Sequence, residues 1–247
     1  MLIWRANGVL DAGLQVWYGK LSKVVGIFKK LKKFLPTRTL LLMYNSLFLS
    51  HLNYCILVWG FSCDRIFMLQ KKVIRLICNA RYNAHTDSLF KQLNILKVHD
   101  ILQLKALKFY YRYTKCEVPS YFDNMFEFTY ATHTHFTRSR GRPILPAPKK
   151  TSLKKCIRFY IPHILQTSPL SIKDKVLTHS YFGFSKYTKS YFVNKYKDEC
   201  TIPNCYVCNS SWTSVPLGLT FKFVQFCTSI LILYLIWSEM WTLSTRN

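Results

Sequence analysis

From Leu21 onward the apolar residues Leu21, Val24, Val25, Phe28, Leu31 and Leu35 recur at steps of three and four, which predicts a helix with one inward stripe and lysines around the rest. Pro36 ends that helix. Thr37 is placed to cap a second, which carries Leu40 to Leu52 and leads into an apolar run from Tyr54 to Trp59 closed by Gly60. A third begins at Ser62 or Asp64, with Ile66, Leu69, Val73, Leu76 and Ile77 inward and Lys71, Lys72 and Arg75 on the opposite side. Thr86 caps a short helix through Leu93, and a longer one runs from Val98 to about Thr114. These two carry apolar residues on more than one side, so they pack against the first three. The fold class expected is mainly α, a small helical bundle over residues 17–116.

At Glu117 the pattern changes. Pro, His and Arg accumulate, and residues 117–155 read as a long, basic, Pro-containing connection. A small helical region over 156–199 follows, with Ile157–Leu165 and then Leu170–Leu177 after the Ser168-Pro169 break. Residues 200–247 make an irregular tail containing cysteines and a hydrophobic stretch. No internal repeat is visible.

Charge sharpens this picture. The chain has 247 residues, half of them apolar, yet 35 Lys and Arg stand against 11 Asp and Glu for a formal +24. A polyanionic partner is the simplest account of such an excess. The cations cluster: there is no acidic residue between Asp11 and Asp64, where Lys29, Lys30, Lys32 and Lys33 lie, and none between Glu127 and Asp174, where Arg138, Arg140, Arg142 and Lys149 lie. Tyr and Phe interleaved with the cations suit a partner whose bases can stack.

Other chemistry finds little support. The acidic residues are scattered, with Asp198-Glu199 the one adjacent pair. His133 and His135 have no nearby carboxylate to orient an imidazole. There is no Gly-X-Ser-X-Gly and no P-loop. Cys205-X2-Cys208, with Cys200 nearby, has the two-thiolate step of a zinc knuckle, but His179 and Cys227 are distant as fourth ligands, and three free cysteines is the plainer account. No cofactor is expected. Nine cysteines at irregular spacing, with Cys55 and Cys78 in apolar runs, predict reduced core thiols and a cytoplasmic or nuclear setting. Residues 1–14 are too weakly apolar for a secretory signal.

One order of short motifs carries more. Lys20-Leu21-Ser22-Lys23, Lys29-Lys30-Leu31-Lys32-Lys33-Phe34-Leu35-Pro36 and Leu41-Leu42-Met43-Tyr44-Asn45-Ser46-Leu47 come first. Asn53-Tyr54-Cys55, Val58-Trp59-Gly60, Leu69-Gln70-Lys71-Lys72-Val73-Ile74-Arg75 and His85-Thr86 follow. This succession resembles the region just after the catalytic palm in reverse transcriptases of non-LTR retrotransposons, the jockey-like LINE elements of arthropods. The resemblance continues more thinly through Thr137-Arg138, Pro146 to Thr151, Cys156-Ile157 and Ile164-Leu165 with Pro169, covering about Trp17 to Phe192. It departs where Ile161-Pro162-His163-Ile164-Leu165 replaces the usual Trp-Asn-Leu-Pro, and residues 1–16 have no counterpart.

The resemblance implies a polymerase thumb, a helical bundle that holds template and primer by their phosphates. Lys29, Lys30, Lys32, Lys33, Lys71, Lys72 and Arg75 would make those contacts, with Arg138, Arg140 and Arg142 adding charge from the connection. His85-Thr86 matches too, although a loop His before a capping Thr explains the pair without a ligand. The palm's Tyr-X-Asp-Asp is missing, and with it the carboxylates that clamp two metal ions, so magnesium belongs to a palm this chain lacks and no polymerase activity is expected of it alone. The expected function is that of a catalytically incomplete fragment binding the backbone of RNA, DNA or their hybrid without sequence preference. The alternative is a small basic membrane-associated protein, anchored by residues 217–237 with its lysines on anionic lipid. The apolar core of that stretch, Phe223 to Trp237, is short for a span, so unrelated sequence or a core helix is the plainer account of it.

Overall fold

The first helix begins well before its apolar stripe: in the computed structural model, which describes residues 6–129, 143–147 and 154–197, α1 spans Ala6–Leu31. Leu21 and Phe28 are buried two turns apart, with Val24 and Val25 packed beside them. After Leu31 the Leu35 N–H closes a turn on the Leu31 carbonyl at 3.0 Å and delivers Pro36. Pro36, not Thr37, takes the cap position of α2 (Thr37–Met43), and no side chain caps that end. The proline ring holds the φ of −68° found there, and with ψ at 156° this is the extended backbone a cap residue needs.

Leu40, Tyr44, Phe48 and Leu52 are buried at strict four-residue steps. In a regular α-helix each such step drifts by about 40°, so three steps would carry the stripe roughly 120° around the axis. The chain absorbs the drift by widening, with Tyr44–Leu49 π-helical between α2 and α3 (Ser50–Asn53). Tyr44 and Phe48 stack at 5.5 Å as a result. The rod stops at Cys55, which is left-handed at φ 48°, before α4 (Ile56–Trp59) and a 3-10 turn over Gly60–Ser62. Cys55 is therefore exposed rather than a core thiol, and Cys78 is half-buried; among the described residues the buried thiol is Cys63. Gly60 sits so close to Leu102 that a Cβ would lie 3.0 Å from its Cδ1.

Helix α5 (Asp64–Ile77) buries Ile66, Leu69, Gln70, Val73, Ile74 and Ile77, while Leu76 is half-buried. Gln70 is the unanticipated member of that face. Its Nε2 donates to Tyr44 Oη at 2.9 Å and to the Leu96 carbonyl at 2.8 Å, and its Oε1 accepts from the Val98 N–H at 2.9 Å. One amide thus joins the π-helical rod, α5 and the segment from Leu96 to Val98. Helices α6 (Asp87–Gln92) and α7 (Val98–Thr114) fall where the sequence places them, and Thr86 precedes α6 without a side-chain cap bond.

The connection past α7 contains a 3-10 turn, Ser120–Phe122, and its arms meet in an antiparallel bridge between Phe128 and Pro143. Beyond it come α8 (Ile157–Thr167), with Pro162 inside it, α9 (Leu170–Thr178) and α10 (Tyr181–Asn194). The aromatic-rich sequence hid α10, because Tyr and Phe recur on several of its sides. Ser180 caps it by accepting the Gly183 N–H at 3.3 Å, and Tyr111 Oη donates to the His179 carbonyl at 2.8 Å. Ile161, Ile164, Phe184 and Phe192 belong to the same buried cluster as Leu21 and Phe28. The chain divides into two units, Met1–Val207 and Cys208–Asn247, and every described residue belongs to the first. That unit is a mainly α, small helical bundle, and among the described residues there is no strand beyond the single bridge.

Tyr196, just past α10, anchors the C-terminal helices to α7. Its hydroxyl accepts the Lys97 N–H at 3.0 Å and donates to Asp100 Oδ2, while Lys97 Nζ lies 4.5 Å from its ring centre and 2.8 Å from Asp87 Oδ2. Burial raises the Asp100 carboxyl above its ordinary value, against the lowering effects of the Tyr196 hydroxyl, Lys97, Lys195 and His99. An acid whose folded pKa is raised binds more protons folded than unfolded, so stability falls as pH rises through the window above the unfolded value near 3.8. Tyr196→Phe should then cost about 1–3 kcal/mol in urea denaturation at pH 7 and less once Asp100 is protonated. Asp100→Asn, which keeps an acceptor and removes the buried charge, should cost less than Tyr196→Phe at pH 7. Equal losses for the two variants at every pH would contradict this assignment.

Candidate nucleic-acid interface

Helices α1 and α5 lie side by side and run in the same direction. At their N-terminal sides Gln15 and Tyr18 share a cavity of about 550 Å³ with Phe61, Asp64 and Arg65. At their C-terminal ends Lys32 Nζ donates to Asn79 Oδ1 at 3.4 Å. Asn79 can reach it because, at φ 51°, it takes the left-handed turn that ends α5, a conformation Asn tolerates well. The Lys29–Lys33 run and the C-terminal half of α5, which carries Lys71, Lys72 and Arg75, are therefore brought side by side.

Within this region the predicted residues divide. Lys29, Lys30, Lys33 and Lys72 are exposed, and among the described residues none forms an ion pair with them. Lys32 is half-buried and committed to Asn79. Lys71 is half-buried with Nζ 4.3 Å from the Phe67 ring centre. Arg75 does not point away from the core as expected: its Nε donates to the Ala84 carbonyl at 2.8 Å, and burial lowers its pKa. It holds the loop after α5 instead of standing free on the surface. Arg138, Arg140, Arg142, Cys200, Cys205, Cys208 and residues 217–237 lie outside the described residues.

Lys29 and Lys30 occupy the last turn of α1, where cations favour the helix dipole by about 0.3–1 kcal/mol each. That accounts for two of the lysines on this end. Lys33 lies past the helix and Lys72 on a neighbouring one, so dipole compensation leaves the cluster as a whole unexplained.

The fold also makes an arrangement the sequence did not reveal. Cys63 Sγ lies 3.3 Å from His99 Nδ1, and His99 Nε2 lies 3.6 Å from Asp64 Oδ1. The order is that of a thiol nucleophile, its base and an orienting carboxylate. Its environment opposes that chemistry: Cys63 is 1% exposed, and burial, then Asp64, push its thiol up to about 12. Cys63 is thus a neutral, packed thiol, and only its nearness in space to a helix 36 residues on would have revealed the trio. Among the described residues no group of three His, Cys, Asp or Glu side chains could hold a metal ion.

Among the described residues no single helix is long and apolar enough to cross a membrane. The bent pair Thr37–Asn53 and Ile56–Ser62, at 57°, passes on length and composition. Its apolar stripe, Leu40 to Trp59, is core. Comparison with known proteins adds no name to this geometry: no family model, no curated protein and no solved structure matches the chain.

Proposed function

We propose that this chain is a catalytically incomplete fragment of a non-LTR retrotransposon reverse transcriptase whose thumb-like bundle binds the phosphate backbone of duplex or hybrid nucleic acid. The observation that carries the proposal is that Lys29, Lys30 and Lys33, at the end of α1 that meets the end of α5 through Lys32 and Asn79, and Lys72 on α5 itself are exposed and without acidic partners among the described residues. Backbone binding needs mobile cations on a rigid support and no base readout. Long lysine side chains on packed helices meet both conditions, and the net charge of +24 supplies the longer-range attraction. The order of sequence motifs supports this ancestry, and the missing carboxylate pair is why no polymerase chemistry is proposed for the fragment.

Titration of a labelled duplex across a salt series tests the function. Each phosphate contact contributes a slope of about −0.9 in log affinity against log salt, so four lysines predict about −3.6 or steeper, with little dependence on sequence. A slope shallower than about −1, or strong preference for one sequence, would sink the proposal.

A further inference from the structure

Against α1 at Trp17, about three turns before the lysines that end the helix, the chain makes a left-handed turn. Cys55, at φ 48° and ψ 28°, holds a left-handed conformation that costs a non-glycine residue about 1–2 kcal/mol. The turn lets Ile56 and Trp59 enter the core, while Cys55 stays exposed and Tyr54 is 60% exposed. The Trp59 indole N–H fixes the turn by donating to the Tyr54 carbonyl at 2.6 Å. The turn also leaves the Tyr54 ring beside Trp17 of α1, with centroids 5.4 Å apart and planes tilted by 36°. His51 meets the same indole edge-on at 5.3 Å, and Lys20 Nζ lies 5.2 Å from its centre. Burial, then Lys20, lowers the His51 pKa, which favours the neutral imidazole within the aromatic group.

We propose that Trp17 and Tyr54 form a stacking platform for an unpaired nucleobase, with Lys20 on the adjoining phosphate, so that the chain grips a single-stranded overhang beside the duplex. This rests on the reading of α1 as a phosphate-binding helix and adds to it a contact with bases. Charge favours that occupant: Lys20, Lys23, Lys30 and Lys33 are exposed along the same helix and its end, in a stretch with no acidic residue from Asp11 to Asp64. Every base has a π-face, so the contact adds affinity without adding sequence preference.

Fluorescence anisotropy with three labelled probes tests the proposal: a blunt duplex, the same duplex with a thymidine overhang, and the same duplex with an abasic overhang of equal length. The abasic strand keeps the phosphates and removes the rings. The thymidine overhang should bind about 5- to 100-fold tighter than the abasic one. Tyr54→Ala and Trp17→Leu should erase that difference while the blunt duplex keeps its salt slope, and Tyr54→Phe should preserve it. Tyr54 is exposed enough that its variant tests the platform even if Trp17→Leu fails to fold. Equal binding of the two overhangs, with blunt-duplex binding intact, overturns the platform and leaves the phosphate-binding helix standing. No binding to any probe overturns both. Binding to phosphatidylcholine–phosphatidylserine vesicles that Tyr54→Ala abolishes, with no base preference, would make the cluster a membrane contact and overturn the proposal as well.

Discussion

Gln70→Leu should lower the stability of the bundle by about 3 kcal/mol or more, although it replaces a buried polar residue with an apolar one of similar size. The amide makes three bonds inside the core, and its loss strands the Tyr44 hydroxyl, the Leu96 carbonyl and the Val98 N–H away from water. Each stranded group costs about 1–3 kcal/mol, while the extra apolar contact returns about 1 kcal/mol or less. Tyr44→Phe removes one of those bonds and should cost about 1 kcal/mol. Because the two share a bond, the cost of Gln70→Leu measured in the Tyr44→Phe background should shrink. Urea denaturation of the single and double variants checks this, and a fully additive double variant would show that the amide is not the hub described.

The elements legible in the sequence are those whose periodicity is regular. Helix α7 carries apolar residues on several sides, yet Val98–Thr114 emerges with the expected limits because its flanking turns are clear. Helix α1 extends to Ala6, well before the stripe that begins at Leu21, which the stripe alone could not announce. Four-step spacing from Leu40 to Leu52 reads as an ordinary helix until the π-helical segment shows how the drift is absorbed. Gln70 falls on the inward positions with Ile66, Val73 and Ile77, and that misplaced amide was the available signal for the hub. Of the candidate site, the lysines at the end of α1 were legible as charge, while Arg75 was assigned to the surface from its place on the wheel alone. Its long side chain bends to the Ala84 carbonyl, which no helical periodicity encodes. The Cys63–His99 contact and the Trp17–Tyr54 pair join positions 36 and 37 residues apart, so they exist only after folding.

The central claim is that a particular end of the bundle, and not diffuse charge, grips phosphates. The direct measurement compares two variants on the same duplex across a salt series: Lys29, Lys30, Lys32 and Lys33 all changed to Ala, and Arg138, Arg140, Arg142 and Lys149 all changed to Ala. Both remove four positive charges, so electrostatic attraction at a distance falls alike. In the first, three exposed lysines and the Asn79-bonded Lys32 are lost. Its slope should flatten by about three units, and its affinity at low salt should drop about tenfold or more for each contact removed. The second variant should lose clearly less of both, and circular dichroism should show both variants as helical as the parent. Equal losses of slope and affinity in the two variants would contradict the account, because a +24 chain would then be binding by its overall field.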